Sequence, residues 1–570
     1  MKNNEIAAML SKIADLLELQ GVQFKPMAYR RAAGNIQELS EDIEEIYKKG
    51  MVEEIEGVGK SIASRISEYL KTGRVEYLEQ LREELPEGME QLVEVEGIGP
   101  KTAFRLSKEF GFKTVEELEK AINNGTLEGL SGFGKKKAQN ILRGIELYKA
   151  SKGKLLLVDI LPIANSIEKQ LRKLNFIQEL NVAGSIRRKK ETIRDIDILV
   201  STNEPIKVMD AFTNLKDVKD IISKGEDKCT VTLYNNIQVD LRAINKNSYG
   251  SALLYFTGSK EHNIKLRKIA RKKNWKLNEY GLFDNATNDK LAGTEELELY
   301  NKLGLDYIVP ELREERGEIE AAAAGTLPKL VERNEIKGDL HIHSKWSDGM
   351  NTIEELCKEA IKYGYEYIAI CDHSHGLPVV KGLNESDIRK QMKEIELINR
   401  KTDNLTVLSG IELNIDKDGG LDIKDNVLKD LDVVIASVHS GFKADEKAIT
   451  ERVIKAMHND YITILGHPSG RIINRRSPLQ LNLIKVFENA VELGTIMEIN
   501  AYPDRLDLSD VNCYKAREFN LKFSINTDTH RLDELGFIDF GVFTARRGWL
   551  EQKDVVNTLS NKDLKKIINL

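Results

Sequence analysis

Apolar residues at Ile6, Met9, Leu10, Ile13, Leu16 and Leu17 recur at the helical period, which predicts an amphipathic helix at the start of the chain and a break at Pro26. Three mutually similar segments follow: Ile55-Glu56-Gly57-Val58-Gly59-Lys60, Val95-Glu96-Gly97-Ile98-Gly99-Pro100 and Leu130-Ser131-Gly132-Phe133-Gly134-Lys135. Each sets an apolar residue between two glycines and runs into a helix containing a small residue (Ala63, Ala103, Ala138). From about Leu155 to Leu312 strands and helices mix. Leu180–Ala183 is a short apolar run, Ile196, Ile198 and Val200 alternate with Asp195 and Asp197, and Ile237–Arg242 alternates again. Residues 318–330 shift in composition, with Glu320-Ala321-Ala322-Ala323-Ala324 reading as a short helical linker. After Asn334, strand-like pieces at Tyr367–Cys371, Val407-Leu408, Val433–Ala436, Thr463–Leu465 and Ile496–Ile499 are separated by amphipathic helices. Such alternation predicts a parallel α/β barrel with its site at the C-terminal ends of the strands.

A chain of 570 residues accommodates several domains, each with its own core. It contains no run of 18 apolar residues, and its start lacks a secretory apolar segment, so a soluble cytosolic protein is expected. Its four cysteines are scattered without C-x-x-C spacing, which speaks for core thiols and against a disulfide framework. The net charge of −6 does not advertise a nucleic-acid binder. Two local basic runs, at 134–154 and 260–276, do, as footprints for a polyanion. The three glycine turns add to this: a tight turn followed by a helix N-terminus offers amide N–H groups to phosphate, gripping a DNA backbone without reading its sequence.

Asp195 and Asp197 stand two residues apart, so on a strand they share a face. Asp240, on another strand-like run, completes an all-oxygen cage suited to two Mg²⁺ ions. Gly184-Ser185, just after an apolar run, opens a turn able to meet phosphate oxygens. Together these residues fit nucleotidyl transfer.

A second constellation lies at the strand ends of the last third: His341, His343, Asp348, Asp372-His373, Glu412, His439, His467, Asp528 and His530. Six of the nine histidines in the chain fall there. Imidazole and carboxylate without cysteine favour Zn²⁺, Mn²⁺ or Fe²⁺ in a multinuclear hydrolytic site. His375 and His458 fall outside the pattern.

On these motifs the chain resembles the bacterial and archaeal family X DNA polymerases, relatives of DNA polymerase beta with a C-terminal polymerase-and-histidinol-phosphatase (PHP) domain. The resemblance covers nearly the whole chain. It implies a multidomain α+β and α/β architecture: a helical helix-hairpin-helix N-terminal region, a nucleotidyltransferase palm with a mixed sheet, and a distorted (β/α) barrel. The corresponding boundaries are 1–90 for an 8-kDa-like domain, 91–153 for a fingers-type DNA-binding subdomain, 154–243 for the palm, 244–317 for a thumb-like subdomain, 318–334 for the linker and 335–570 for the PHP domain.

Residue by residue, Gly184, Ser185 and Arg188 match the triphosphate-binding element, and Asp195, Asp197 and Asp240 the catalytic, metal-binding carboxylates. Arg242 matches an active-site arginine. Tyr255, Phe256 and Gly258 match the nucleotide-sugar segment, Asn263 and Arg267 residues facing the nascent pair and template, and Asn278-Glu279-Tyr280 a further family signature. Gly57, Gly59, Gly97, Gly99, Gly132 and Gly134 match the DNA-gripping hairpins. In the PHP part the resemblance implies one ion held by His341, His343, Glu412 and Asp528, a second by Asp348, His373 and His530, and a third by His439 and His467 with Glu412 bridging.

The resemblance implies short-gap filling in base excision repair with Mg²⁺ or Mn²⁺, and a metal-dependent 3′–5′ exonuclease using Zn²⁺ or Mn²⁺, with abasic-site cleavage or 3′-end trimming beside it. The implied partners are gapped or primed DNA and dNTPs, the implied state a monomer with no membrane attachment. The chain departs from eukaryotic relatives at Arg65, where they carry a Schiff-base lysine; arginine stays protonated, so no lyase activity by that route is expected, and Lys60 is the nearest other amine. Two rival readings are a PHP phosphatase tethered to DNA by its first half, and a non-catalytic DNA-binding scaffold.

Overall fold

The computed structural model describes all residues except 1, 20, 21, 23, 38, 40, 41, 84–88, 377–379, 569 and 570. The chain divides into two compact units, Met1–Lys152 with Asn474–Ser477, and Gly153–Ile473 with Pro478–Leu570. Among the described residues no helix is long and apolar enough to cross a membrane.

The first unit is helical. The helix Lys2–Leu19 buries Ile6, Met9, Leu10, Ile13, Leu16 and Leu17, the face its periodicity marks. Pro26 occupies the second position of the next helix, Lys25–Gln37, where its missing N–H is not needed for an intrahelical bond. The three glycine segments turn into α1 (Lys60–Thr72), α2 (Pro100–Phe104) and α3 (Lys135–Ser151).

The second unit contains a mixed sheet where the palm is expected, a mostly helical region where the thumb is expected, and a barrel. The palm sheet is built from β1 (Glu179–Val182), β2 (Asp195–Ser201), β3 (Val218–Lys224), β4 (Lys228–Leu233) and β5 (Gln238–Ile244), in the order β1-β2-β5-β4-β3. Only β2 and β5 are parallel; the other pairs are antiparallel. Ile196, Ile198 and Val200 of β2 join Val239, Leu241 and Ala243 of β5 in one core, so the alternate residues of both strands face away from it. A single helical turn, α4 (Gly184–Arg187), follows β1.

The thumb combines α5 (Tyr249–Thr257) with the helix Lys260–Lys272 and a three-stranded antiparallel sheet. The segment read as a linker contains α6 (Glu318–Ala324), whose Ile319 and Ala322 are buried in the thumb core. His262 is buried there as well, its Nδ1 2.7 Å from Glu318 and its Nε2 2.9 Å from the Tyr300 hydroxyl.

The barrel has seven parallel strands in sequence order: β6 (Gly338–Ile342), β7 (Tyr367–Ile370), β8 (Thr406–Asn414), β9 (Val433–Ser437), β10 (Ile464–Leu465), β11 (Ile496–Asn500) and β12 (Phe523–Asn526). A parallel bridge between Ile342 and Thr529 joins the last strand region back to the first. Both faces of each strand are covered, which is why these strands read as continuous apolar runs. The helix α7 (Ile538–Arg547) packs against β11 and β12. All four cysteines are buried and unpaired.

Candidate active sites

In the palm, Asp197 is the direct register partner of Asp240 across the parallel β2–β5 pair, and Asp195 shares their face. Three carboxylates thus converge on one side of two neighbouring strands. Asp240 is oriented by the Thr230 hydroxyl and by the Gln238 amide, which donates at 2.8 Å. Burial, reinforced by the charges of Asp195 and Asp240, pushes Asp197 up to about 7; burial and then Asp240 raise Asp195. Asp195 and Asp197 thus resist ionisation by themselves, which fits divalent cations, whose charge reverses that effect.

Gly184 packs directly on this trio. A Cβ there would stand 2.1 Å from the Asp197 carboxylate, and its φ of +58° lies in the left-handed region, so both space and backbone require glycine. The turn it opens carries Ser185 and Arg188, and Arg188 lies close enough to Asp197 for its charge to oppose the rise. Arg188 donates from Nε to Glu314 at 3.0 Å and from Nη1 to the Thr257 carbonyl, which fixes its guanidinium.

The neighbouring Arg187, which the sequence reading did not select, grips Glu296 with both amino groups at 2.8 and 2.7 Å. Glu296 also accepts from Arg313 at 2.7 Å and from Tyr307 at 3.1 Å. Burial opposes its charge, yet Arg313 and Arg187 hold it down to about 2.

At the barrel rim, every strand contributes to one polar cluster. His341 Nε2 and His343 Nε2 are 3.1 Å apart, and His343 Nε2 is 3.1 Å from Asp528. Glu412 lies in the middle: one oxygen is 2.9 Å from His373 Nδ1, the other 3.2 Å from His439 Nε2 and 3.0 Å from His467 Nε2. The ligand atoms form overlapping sets within 4.8 Å: His343, Asp348, His373, His530; His341, His343, Asp528; and His373, Glu412, His439. His343 stands between two sets, with Nδ1 3.7 Å from Asp348 and Nε2 facing Asp528. His343 and His373 are therefore shared more widely than the implied three-ion partition assigns them.

The donor set fits metal ions on its own chemistry. His343 Nδ1 and His467 Nδ1 are buried and lack a hydrogen-bond partner. Facing imidazole nitrogens cannot all be satisfied by protons. Burial, then the charges of His530 and His373, holds His343 down to about 3, in the neutral form that ligates. His530 is raised to about 9, Asp348 and Asp528 outweighing burial.

A second layer orients these rings. His341 Nδ1 lies 2.8 Å from Glu498, His439 Nδ1 2.7 Å from the Asn414 side-chain oxygen and His530 Nδ1 2.8 Å from the Asp528 carbonyl, leaving Nε2 of each for an ion. Asn500 donates to Asp528 at 3.0 Å. Asp528 and His467 both adopt positive φ, 55° and 25°, a strained backbone of the kind that clusters at functional sites. Asp372, grouped with the strand-end ligands by pattern, instead accepts from Ser344, Ser347 and Gln391 and positions the loop after β6.

Protein-family models match a helix-hairpin-helix domain at residues 1–75, a SAM-like helix-hairpin-helix tandem at 89–146, a DNA polymerase beta thumb at 252–314 and a PHP domain at 339–500. The chain is 37% identical to the DNA polymerase/3′-5′ exonuclease PolX of Bacillus subtilis (strain 168), over 99% of both chains. The chain belongs to the family X DNA polymerases with a PHP domain.

Two further relatives match only part of the chain. A repair DNA polymerase X of African swine fever virus is 35% identical over 23% of this chain and 78% of its own. A probable phosphatase of Thermoanaerobacter sp. (strain X514) is 29% identical over 39% of this chain and 89% of its own.

In the family X frame the remaining motif residues fall as follows. Arg242 lies with its guanidinium carbon 4.9 Å from the Phe256 ring centre, and Tyr255 meets Phe256 edge-on at 5.1 Å. Gly258 ends α5 with a φ of +69°, beside Arg188. Asn263 donates to the Tyr255 carbonyl at 2.8 Å, and Tyr255, Asn263, Arg267 and Asn278 line one small cleft. In the first unit Gly57, Gly97 and Gly132 have φ of 80°, 86° and 82°, and Gly59, Gly99 and Gly134 precede α1, α2 and α3 without any side-chain cap. Side chains thus leave the first two amides of α1 and α3 uncapped, while α2 begins at Pro100, which has no N–H, and the third amide of each helix bonds its glycine carbonyl. Arg65 lies 4.0 Å over the Tyr77 ring and donates to the Ser61 carbonyl at 2.7 Å.

Proposed function

We propose that the chain is a two-site DNA repair enzyme: it fills short gaps from dNTPs in the palm and shortens 3′ ends at the barrel rim, acting as a cytoplasmic monomer on gapped or primed DNA. The observation that carries this reading is the pairing, in one chain, of three carboxylates in parallel register with a nine-donor imidazole–carboxylate cluster. The ions expected are Mg²⁺ or Mn²⁺ at Asp195, Asp197 and Asp240, and Zn²⁺ or Mn²⁺ at His341, His343, Asp348, His373, Glu412, His439, His467, Asp528 and His530. Bound there, such ions supply nucleophile activation and neutralisation of phosphate charge.

The chain's own residues do the rest. Ser185 and Arg188 hold the triphosphate, Arg188 with a guanidinium fixed in advance by Glu314 and Thr257. The α5 segment with Tyr255, Phe256 and Gly258 meets the nucleotide sugar, and Asn263 and Arg267 face the nascent pair. The glycine turns leading into α1, α2 and α3 grip the DNA backbone. At the rim, Arg505 stands 3.7 Å from Asp528, a cation suited to an anionic phosphodiester beside the ligands. No Schiff-base lyase acts through Arg65.

The test is primer extension on one-nucleotide-gapped DNA with Mn²⁺, with and without dNTPs. Templated addition with dNTPs and 3′ shortening without them is the expected pair of results. Shortening alone would reduce the first half to a DNA tether. The likeness to a probable phosphatase favours one second reading, hydrolysis of a small phosphomonoester at the rim; turnover of histidinol phosphate with intact DNA would support it.

A further inference from the structure

The phosphate-facing turn of the palm is joined to the carboxylate strand β2 by a connector, residues 189–194, and barrel residues fix that connector. Arg547, at the end of α7 and almost fully buried, donates to the Arg188 carbonyl at 2.6 Å and to Glu314 at 3.1 Å. Its other amino group donates to Asp510 at 2.7 Å, and Asp510 accepts again from Arg316 at 3.1 Å. Arg471 makes a two-pronged pair with Glu191 at 3.1 and 2.7 Å. The Lys189 ammonium sits 4.6 Å over the Phe543 ring. Lys189 itself has a φ of 55°, a left-handed conformation that its surroundings must hold in place.

Charge pairs on an open surface contribute little. These differ: the side chains of Arg547, Glu314, Asp510 and Arg188 are 4%, 12%, 14% and 14% exposed, and each makes more than one bond. Breaking one partner leaves a buried charge uncompensated, and the forked geometry suits arginine over lysine. Glu314 is the shared element, since it holds Arg188 on one side and Arg547 on the other. Asp510 and Arg547 stand outside both ligand clusters.

We propose that Arg547, with Asp510 as its counter-ion and Arg471 as a second clasp, is a positioning residue for nucleotide addition: the barrel holds the palm's phosphate-facing turn in its working register. The proposal rests on the reading of Ser185 and Arg188 as triphosphate ligands. With the connector clasped, the incoming triphosphate meets a guanidinium already in place and spends less of its binding energy on ordering the turn. The carboxylates lie on sheet strands, held by their own hydrogen-bond ladder. Loosening the clasp therefore weakens dNTP binding more than the chemical step.

The experiment is single-nucleotide insertion on gapped DNA by the full chain, comparing Arg547→Gln, Arg547→Lys, Asp510→Asn and Arg188→Ala, with 3′ shortening of single-stranded DNA measured on the same preparations. Arg547→Gln and Asp510→Asn are expected to raise KM for dNTP about tenfold, with kcat within about threefold and 3′ shortening unchanged. Arg547→Lys recovers only part of the loss, because it restores the charge without the fork. Unchanged KM in Arg547→Gln and Asp510→Asn, beside a raised KM in Arg188→Ala, would overturn the clasp alone. Unchanged KM in Arg188→Ala would remove the triphosphate reading and the clasp with it. Should both barrel variants lose 3′ shortening and melt early, Arg547 and Asp510 serve barrel stability, and the proposal fails.

Discussion

The palm and the barrel rim both gather acidic groups around a place for cations, yet they do it in opposite ways. The palm uses three carboxylates from two strands, and burial with neighbouring carboxylate charge opposes ionisation of Asp197 and Asp195. The rim uses imidazoles and carboxylates that compensate one another, so Glu412 and Asp528 are held well below the usual carboxylate range despite burial. Behind the rim ligands stands a layer of Glu498, Asn414 and Asn500. The palm trio has Thr230 and Gln238 on Asp240 and the glycine turn against Asp197. The rim is preorganised for ions by its own side chains; on the proposed reading, cations and a nucleotide complete the palm.

The sharpest way to break this comparison is to remove one ligand from each centre. Asp240→Ala should lower nucleotide insertion by about 10³-fold and leave 3′ shortening intact, while His341→Ala should do the reverse. Both activities are read on the same gapped substrate, and a joint loss in either variant would show that the centres are not separable.

The second layer gives a finer contrast. Glu498→Gln should weaken ion retention at the rim by about 10–100-fold, measured by chelator competition, without altering insertion in the palm. Equal ion retention in that variant would mean that the layer behind the ligands is only packing.

The smallest expected effect concerns stability near the palm. Glu296 is held at about 2, below its ordinary 4.5, so its ion pairs contribute stability that is fully present above pH 4.5 and lost as pH falls toward 2. Glu296→Gln should cost about 3 kcal/mol at pH 7, and the gap between the two proteins should close across that window. Denaturant melts at pH 7, 4 and 2.5 measure it; a gap independent of pH would assign the loss to packing and not to charge.

Much of both centres was legible in the chain because the ligands lie at strand ends bounded by apolar runs. The alternation around Asp195-Ile196-Asp197 and the histidines after Leu340, Cys371 and Leu465 are local signals. What local patterns could not show is partnership across the fold. Arg187 meets Glu296 109 residues away, and Arg547 meets the Arg188 carbonyl 359 residues away. Nothing in periodicity encodes such distances. Glu498 did carry a signal: a carboxylate inside the apolar run Ile496–Ile499 must have a buried partner, and that partner is His341. Asp372 misled for a related reason, since a strand-end aspartate beside a histidine reads as a ligand whether it faces the ions or the hydroxyls of the next loop.

The strand order of the barrel has a consequence for when each activity can exist. The three palm carboxylates are all present once residue 240 has been made. The rim takes ligands from the first strand region to the last, and Asp528 and His530 follow β12, where the bridge from Thr529 to Ile342 joins the ring's two ends. A chain still emerging from the ribosome, or one clipped before β12, lacks two ligands and the strand that carries them. The rim cluster can therefore be complete only once β12 and the segment after it are in place.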